Sequence, residues 1–214
     1  MQAGGDRSGR RRRRPTLVAV GAVLVLLPIG HLDPAFSRLA PVAWYSSPKP
    51  VVVFGSGTLT MPNRTSKAIT YDPDLAPIGA AMTATIIPTS EGSTAQLTVL
   101  GLLPDRGYTV YAYDKACGAT PGAAGARFQY HLDPSATSAA PSADPEYDNP
   151  DNEIWLDVRT DDAGTGTSAT TIPFVLTDRV PHSFMVHDAM HTPKDPAHAA
   201  DIGARIACLT LSPR

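Results

Sequence analysis

The sequence predicts an all-β fold, an antiparallel sandwich or barrel of eight strands. Eight short runs are rich in β-forming residues, and turn-forming residues separate them. No segment keeps a helical period over ten residues. The eight runs occupy residues 51–60, 79–89, 94–102, 107–114, 153–160, 167–176, 183–188 and 205–211.

The first three runs carry the clearest strand signals. The first, VVVFGSGTLT, opens with three valines, which favour extended backbone. In the second run Met82, Ala84 and Ile86 recur at every second position, as do Leu97 and Val99 in the third. Because side chains on a strand point alternately to its two faces, each of these runs has one apolar face.

The fourth run, GYTVYAYD, places Tyr111 and Tyr113 on one face and Val110 and Ala112 on the other. Cys117 follows four residues after the second tyrosine. Two like side chains on one face are a common way to aim two ligands at one point. The alternative is that both are ordinary strand aromatics covering a loop, since tyrosine is favoured in strands.

The last four runs are EIWLDVRT, TSATTIPFVL, SFMVHD and RIACLTL. Two long segments without periodicity, residues 115–152 and 189–204, interrupt the series of strands. Loops of this length inside a compact β domain are usually functional or disordered. We expect them to carry whatever site the protein has.

The chain divides into a basic leader with an apolar signal or anchor (1–30), a Pro/Ser-rich linker (31–50) and the β domain (51–214). Residues 7–14, RSGRRRRR, precede an uncharged apolar run over 17–30. A membrane span needs about 20 residues, whereas the core of an export signal is shorter. We therefore expect an extracytoplasmic protein, either secreted or anchored to the cell membrane by this segment.

Charge agrees with this division of the chain, and the cysteine content agrees with export. Residues 44–214 contain 11 Lys and Arg against 18 Asp and Glu, a net charge of −7. An acidic body argues against nucleic acid as a partner. Cys117 and Cys208 are the only two cysteines, and in an exported chain they are expected to form one disulfide.

The C-terminal third resembles the copper/zinc superoxide dismutase family. FMVHD, then a loop, then DIGARIAC is similar to the family's copper-ligand strand, electrostatic loop and Gly-x-Arg-x-Ala-Cys strand. Upstream, GLLPDRGYTVYAYDKACG resembles the family's Gly-Leu-x-Pro-Gly segment, ligand strand and first cysteine. NEIWLDVRTDDAGTG and ITYDPDLAPIGA resemble a secreted actinobacterial branch.

This resemblance covers roughly residues 50–212 and implies an eight-stranded Greek-key barrel. It assigns His187 to a copper-ligand position, Arg205 to the arginine that guides the anion, and Cys208 to the disulfide. Arg205 has an alternative role, hydrogen bonding to loop carbonyls near the disulfide.

Most ligand positions of that family carry other residues here. The family's His-x-His strand aligns with Tyr111 and Tyr113, and its bridging histidine, in the AGARF segment, aligns with Arg127. Tyr130 stands where the actinobacterial pattern has a further histidine. A neutral phenol is a poor copper ligand, and a guanidinium stays protonated and repels a cation. Redox dismutation by the family mechanism is therefore not expected.

A second register is also open. HLDP, residues 131–134, resembles the family's bridging His-Phe-Asn-Pro segment, which would make His131 the bridge. The site would then hold two histidines, His131 and His187. No histidine lies between His131 and His182, so no zinc is expected. The oxygen ligands still available to a metal are Asp144, Asp148, Asp151 and Glu153.

The replaced ligand positions suggest that a side-chain cation has taken the place of the metal. Arg127 is predicted to stack on Tyr111 or Tyr113, within about 6 Å of a ring centroid, and to hydrogen-bond Tyr130. A different hypothesis is that a metal site is formed in the last loop by His187, Asp188 and two further histidines, His191 and His198. Solvated loop histidines are the ordinary alternative.

The sequence thus favours a non-dismutating binding or structural module with a degenerate metal site and no cofactor. The alternative is a superoxide dismutase acting through residual or rearranged copper bound by His187 and His131.

Overall fold

The computed structural model describes residues 47–137, 142–193 and 202–214. The predicted leader and most of the linker lie outside these residues. The described residues belong to one compact unit, Ser46–Arg214. No helix in the described ranges is long and apolar enough to cross a membrane.

The prediction of an all-β, antiparallel fold is confirmed. In the described part of the chain, eight strands have five or more residues, and each lies almost entirely within one of the eight predicted runs. Two shorter strands, β2 and β10, were not predicted. The strands are β1 (Val53–Thr58), β2 (Ala68–Thr70), β3 (Ala81–Thr89), β4 (Gly92–Leu100), β5 (Gly107–Tyr113), β6 (Trp155–Arg159), β7 (Gly166–Ile172), β8 (Ser183–His187), β9 (Arg205–Thr210) and β10 (Ser212–Pro213).

Within the residues that the structure describes, the strands form two five-stranded sheets. The first sheet has the order β10-β1-β3-β4-β7, and the second has the order β2-β9-β8-β5-β6. Neighbouring strands in both sheets are antiparallel. In the second sheet β5 lies between β6 and β8, so its side chains have strand neighbours on both sides.

The alternation of β5 divides its residues between two buried regions. Tyr108, Val110 and Ala112 lie in the main core together with residues of both sheets. Tyr111 and Tyr113 belong to a second, smaller apolar cluster. The outer face of the second sheet is therefore covered around these two tyrosines, where Cys117, Ala124 and Ile202 of the long loops join the cluster.

A disulfide between Cys117 and Cys208 joins the first long loop to β9, as predicted. The Cys117 amide also donates to Thr210 Oγ1 at 3.2 Å. The disulfide therefore holds the start of this loop beside the strand that carries Cys208. A disulfide is compatible with an extracellular protein.

Candidate functional site

Tyr111 and Tyr113 are buried on the loop-covered face of the second sheet, on the same side as predicted. Their exposed fractions are 1% and 0%. On β8, Met185 pairs with Tyr111, and on β6 Trp155 pairs with it from the other side. Burial raises the pKa of Tyr111 to about 12, so its phenol stays protonated at neutral pH.

His187 lies at the end of β8 against both tyrosines. Its ring makes an edge contact with Tyr111, at 5.3 Å between centroids, and stacks on Tyr113 at 6.0 Å. Its Nδ1 is 3.1 Å from the Gly203 carbonyl oxygen, and its Nε2 is 3.1 Å from the Tyr113 hydroxyl.

These two contacts fix the tautomer of His187. A carbonyl can only accept, so Nδ1 carries the proton and donates to Gly203. Nε2 is then an acceptor, and the Tyr113 hydroxyl donates to it. Both ring nitrogens of His187 are therefore already used by protein groups.

The Gly203 carbonyl depends on a backbone conformation that favours glycine. Its φ is +75°, and a Cβ at this position would lie 2.1 Å from the Asp188 carbonyl oxygen. A side chain here would displace the segment that holds the His187 ring.

Burial lowers the pKa of His187 to about 4. The unfolded histidine titrates near 6.5, so the neutral ring contributes stability above pH 6.5 that is lost as the pH falls toward 4. We expect the difference in unfolding free energy between wild type and His187→Gln to fall by about 3 kcal/mol over that interval.

Denaturant titrations at several pH values, with NMR titration of the ring, would measure this. His182→Gln, which changes an exposed histidine, is the control and should follow wild type. A His187 ring that titrates near pH 6.5 would contradict the assignment.

The guanidinium of Arg127 lies inside the site and is only 8% exposed as a residue. Its Nη2 is 2.7 Å from Asp148 Oδ2, and its Nε is 3.3 Å from Glu153 Oε2. Nη2 also donates to the Ser142 carbonyl at 3.1 Å. The guanidinium carbon is 5.4 Å from the Tyr111 ring centroid, so the predicted contact with a tyrosine is present.

Both carboxylates that meet Arg127 are themselves buried, with side chains 3% exposed for Asp148 and 2% for Glu153. Glu153 also accepts from Gln129 Nε2 at 3.1 Å and from Trp155 Nε1 at 2.8 Å. Burial raises the pKa of Glu153 to about 7. Although burial alone would lower the pKa of Arg127, Glu153 and Asp148 raise it, so the arginine remains a cation.

Arg205 contacts the other tyrosine. Its guanidinium carbon lies 4.5 Å from the Tyr113 ring centroid, and Nη1 donates to the carbonyls of Pro121 at 3.1 Å and Gly125 at 3.4 Å. The carbonyl contacts proposed as the alternative role of Arg205 are therefore present. They hold the first long loop over the phenol.

The prediction of a hydrogen bond between Arg127 and Tyr130 is wrong. Tyr130 is 42% exposed and stacks on Phe174 at 4.5 Å between centroids. The Tyr130 ring packs on an apolar ring there, while the Arg127 guanidinium is bound by Asp148 and Glu153.

His131 lies in a different environment from His187. It is exposed, and its ring contacts Tyr130 at 4.7 Å between centroids. The Asn152 side chain holds its backbone, accepting from the amide at 2.6 Å and donating to the carbonyl at 2.9 Å.

Of the groups proposed for a rebuilt metal site in the last loop, those that the structure describes are engaged or exposed. Asp188 forms an ion pair with Arg106. His191 is exposed, and His198 lies outside the described residues. Within the described ranges there is no group of three or more His, Cys, Asp and Glu side chains placed to hold a metal ion.

Sequence reasoning named Asp148 and Glu153 as oxygen ligands but missed their role as partners of an arginine. It also missed Gln129, Ser142 and Trp155. One signal was present: Glu153 and Trp155 are two residues apart, so alternation could have placed them on one face.

Comparisons with known proteins add no assignment. No protein-family model matches the chain, and no curated protein matches it.

Proposed function

We propose that this chain is an exported or membrane-anchored domain of the copper/zinc superoxide dismutase type that serves as a non-dismutating binding or structural module. The observation that carries the proposal is the buried guanidinium of Arg127, held by Asp148 and Glu153 beside Tyr111. In the proposed correspondence, this fixed positive charge would take the place of the family's metal.

The order of the strands supports the Greek-key part of the proposal. Among the eight long strands, β1, β3 and β4 are consecutive neighbours, and β7 returns to the same sheet after β5 and β6 have formed part of the other. A long connection that brings a strand back beside earlier ones is the mark of a Greek key. Copper/zinc superoxide dismutase shares the two-sheet sandwich architecture.

The chemistry of the site supports the loss of copper. In the proposed correspondence, Tyr111 and Tyr113 replace two imidazoles, and Arg127 replaces the bridging one. The retained His187 has its Nε2 engaged by the Tyr113 hydroxyl. A copper ion would have to displace that hydrogen bond and share the site with a guanidinium, which is unfavourable for a cation.

The basic leader, the apolar segment after it and the disulfide together support export. Fractionation of cells that express the chain tests this point, because the proposal requires the Ser46–Arg214 unit outside the cytoplasm. Its recovery in the cytoplasm with reduced cysteines would contradict it.

Metal analysis of the full chain after loading with copper and zinc tests the central claim. We expect much less than one copper per chain and no acceleration of superoxide decay. The triple variant Tyr111→His/Tyr113→His/Arg127→His supplies imidazoles around His187, and we expect about one copper per chain. Arg127→His alone is the matched control and should bind little copper.

Stoichiometric copper with catalysis in the wild-type chain would overturn this proposal in favour of a dismutase that uses His187 and His131. The double variant His131→Gln/His187→Gln would then be expected to lose the metal. If the triple variant folds but takes up no copper, the proposed correspondence of ligand positions is wrong.

A further inference from the structure

A cavity of about 340 Å³ opens at the start of β6, beside the cluster formed by Arg127, Asp148 and Glu153. Pro150, Trp155, Asp157 and Thr192 line it. Its volume lies at the lower end of the range of small-ligand sites, about 300 to 1,000 Å³. The cavity thus suits a molecule the size of a single side chain.

The indole of Trp155 forms a fixed wall of this cavity. Its Nε1–H donates to Glu153 Oε2 at 2.8 Å, and its ring meets Tyr111 edge-on at 5.9 Å between centroids. Because the N–H group is directed at Glu153, the apolar ring system is what remains for a ligand. An indole ring offers the strongest aromatic surface for a cation.

The carboxylate of Asp157 is also held in place. Its Oδ1 accepts from the Thr192 amide at 2.8 Å and from the Thr192 hydroxyl at 2.6 Å. These contacts join the last loop to β6 and leave Oδ2 of Asp157 outside the hydrogen bonds made by Thr192.

The indole and the carboxylate project from the same face of one strand. Trp155 and Asp157 are two apart on β6, so their side chains share a face with backbone origins about 7 Å apart. None of the ion pairs found among the described residues includes Asp157. Residues 44–214 carry a net charge of −7, which favours the approach of a cation.

We infer that this cavity binds a small organic cation, an alkylammonium or alkylguanidinium group whose apolar stem packs on Trp155 and whose charge meets Asp157. An anion of the same size would be repelled by the carboxylate, and a neutral alcohol would lack the ion pair and the cation–π contact. The inference goes beyond the proposed function and does not depend on whether copper binds.

Isothermal titration calorimetry of the full chain with butylammonium, butylguanidinium, butanol and butyrate tests it. We expect saturable binding of the two cations and none of the alcohol or the carboxylate. Asp157→Asn should weaken cation binding about tenfold, the effect of losing about 1.4 kcal/mol. Asp162→Asn makes the same charge change at an exposed turn and should leave affinity unchanged.

A capped lysine, Nα-acetyl-lysine methylamide, distinguishes two sources of the alkylammonium group, a lysine side chain and a free amine. Binding as tight as butylammonium indicates that a lysine side chain is accepted, whereas loss of binding restricts the site to free amines. Trp155→Leu, checked for folding by thermal melting, should also weaken cation binding. Equal binding of butanol and butylammonium, or unchanged affinity in Asp157→Asn, would overturn the inference, and so would no saturable binding of either cation.

Discussion

Arg127→Met is expected to destabilise the domain by about 3 to 5 kcal/mol, because it leaves two buried carboxylates without their counterion. Asp148 and Glu153 have side chains 3% and 2% exposed, so water cannot replace the guanidinium without opening the loop. Methionine fills a similar length but supplies no charge. Denaturant titration at pH 8, where Glu153 of the wild type is mostly ionised, would measure the loss.

The loss should be smaller at lower pH. With Arg127 removed, Glu153 has no cation beside it, so its pKa rises further above the wild-type value of about 7. The folded variant then takes up a proton at higher pH than folded wild type does. Its stability relative to wild type therefore improves as the pH falls toward 6 and worsens as the pH rises toward 8.

Arg179→Met is the matched control. Arg179 also forms an ion pair, with Asp114 at 3.6 Å, but its side chain is 45% exposed. An exposed pair of this kind contributes at most about 1 kcal/mol. If Arg127→Met costs no more than this control, the guanidinium is not the buried counterion that the site requires.

Neutralising the carboxylates together with the arginine distinguishes the effect of an unpaired charge from the effect of lost packing. In the triple variant Arg127→Met/Asp148→Asn/Glu153→Gln no unpaired charge remains. We expect it to recover much of the lost stability, since a buried ion pair can often be replaced by neutral groups at little cost. A triple variant no more stable than Arg127→Met would show that the loss comes from packing.

The strands of this fold could be predicted from the sequence because the alternation of side chains between two faces is a local property of each strand. Tyr111 and Tyr113 share a face whatever lies above them, and the alternation of Met82, Ala84 and Ile86 marks a core face without knowledge of the partner strand. Local pattern also accounts for the limit of the prediction. β2 and β10 have three and two residues, too few to show a period.

The partners of the site could not be read in the same way. Arg127 and Asp148 come from one long aperiodic loop, and nothing local indicates which of its acids reaches the arginine. Tyr130 and His131, only three and four residues from Arg127, contact each other instead, and Tyr130 stacks on Phe174. The choice between these outcomes is made by burial and charge in the folded chain, because a guanidinium taken from water needs carboxylates more than it needs a phenol.

Replacing the disulfide, in the variant Cys117→Ala/Cys208→Ala, is expected to lower the unfolding free energy by about 4 to 5 kcal/mol. The two cysteines are separated by 91 residues, so the cross-link removes a large loop entropy from the unfolded chain. Denaturant titration of wild type under oxidising and reducing conditions, beside the variant, measures the change. Reductant should weaken wild type to the level of the variant and leave the variant unchanged.

The disulfide should also have a local effect that the chain-entropy argument does not contain. It holds the loop whose carbonyls at Pro121 and Gly125 accept from Arg205, and Arg205 lies over the Tyr113 ring. Without the bond we expect faster amide exchange in residues 115–125 and unchanged exchange in β3 and β4 of the opposite sheet. A loss of stability below about 1 kcal/mol would contradict the effect on the unfolded chain. Equal changes of amide exchange in both sheets would contradict the local effect on the site.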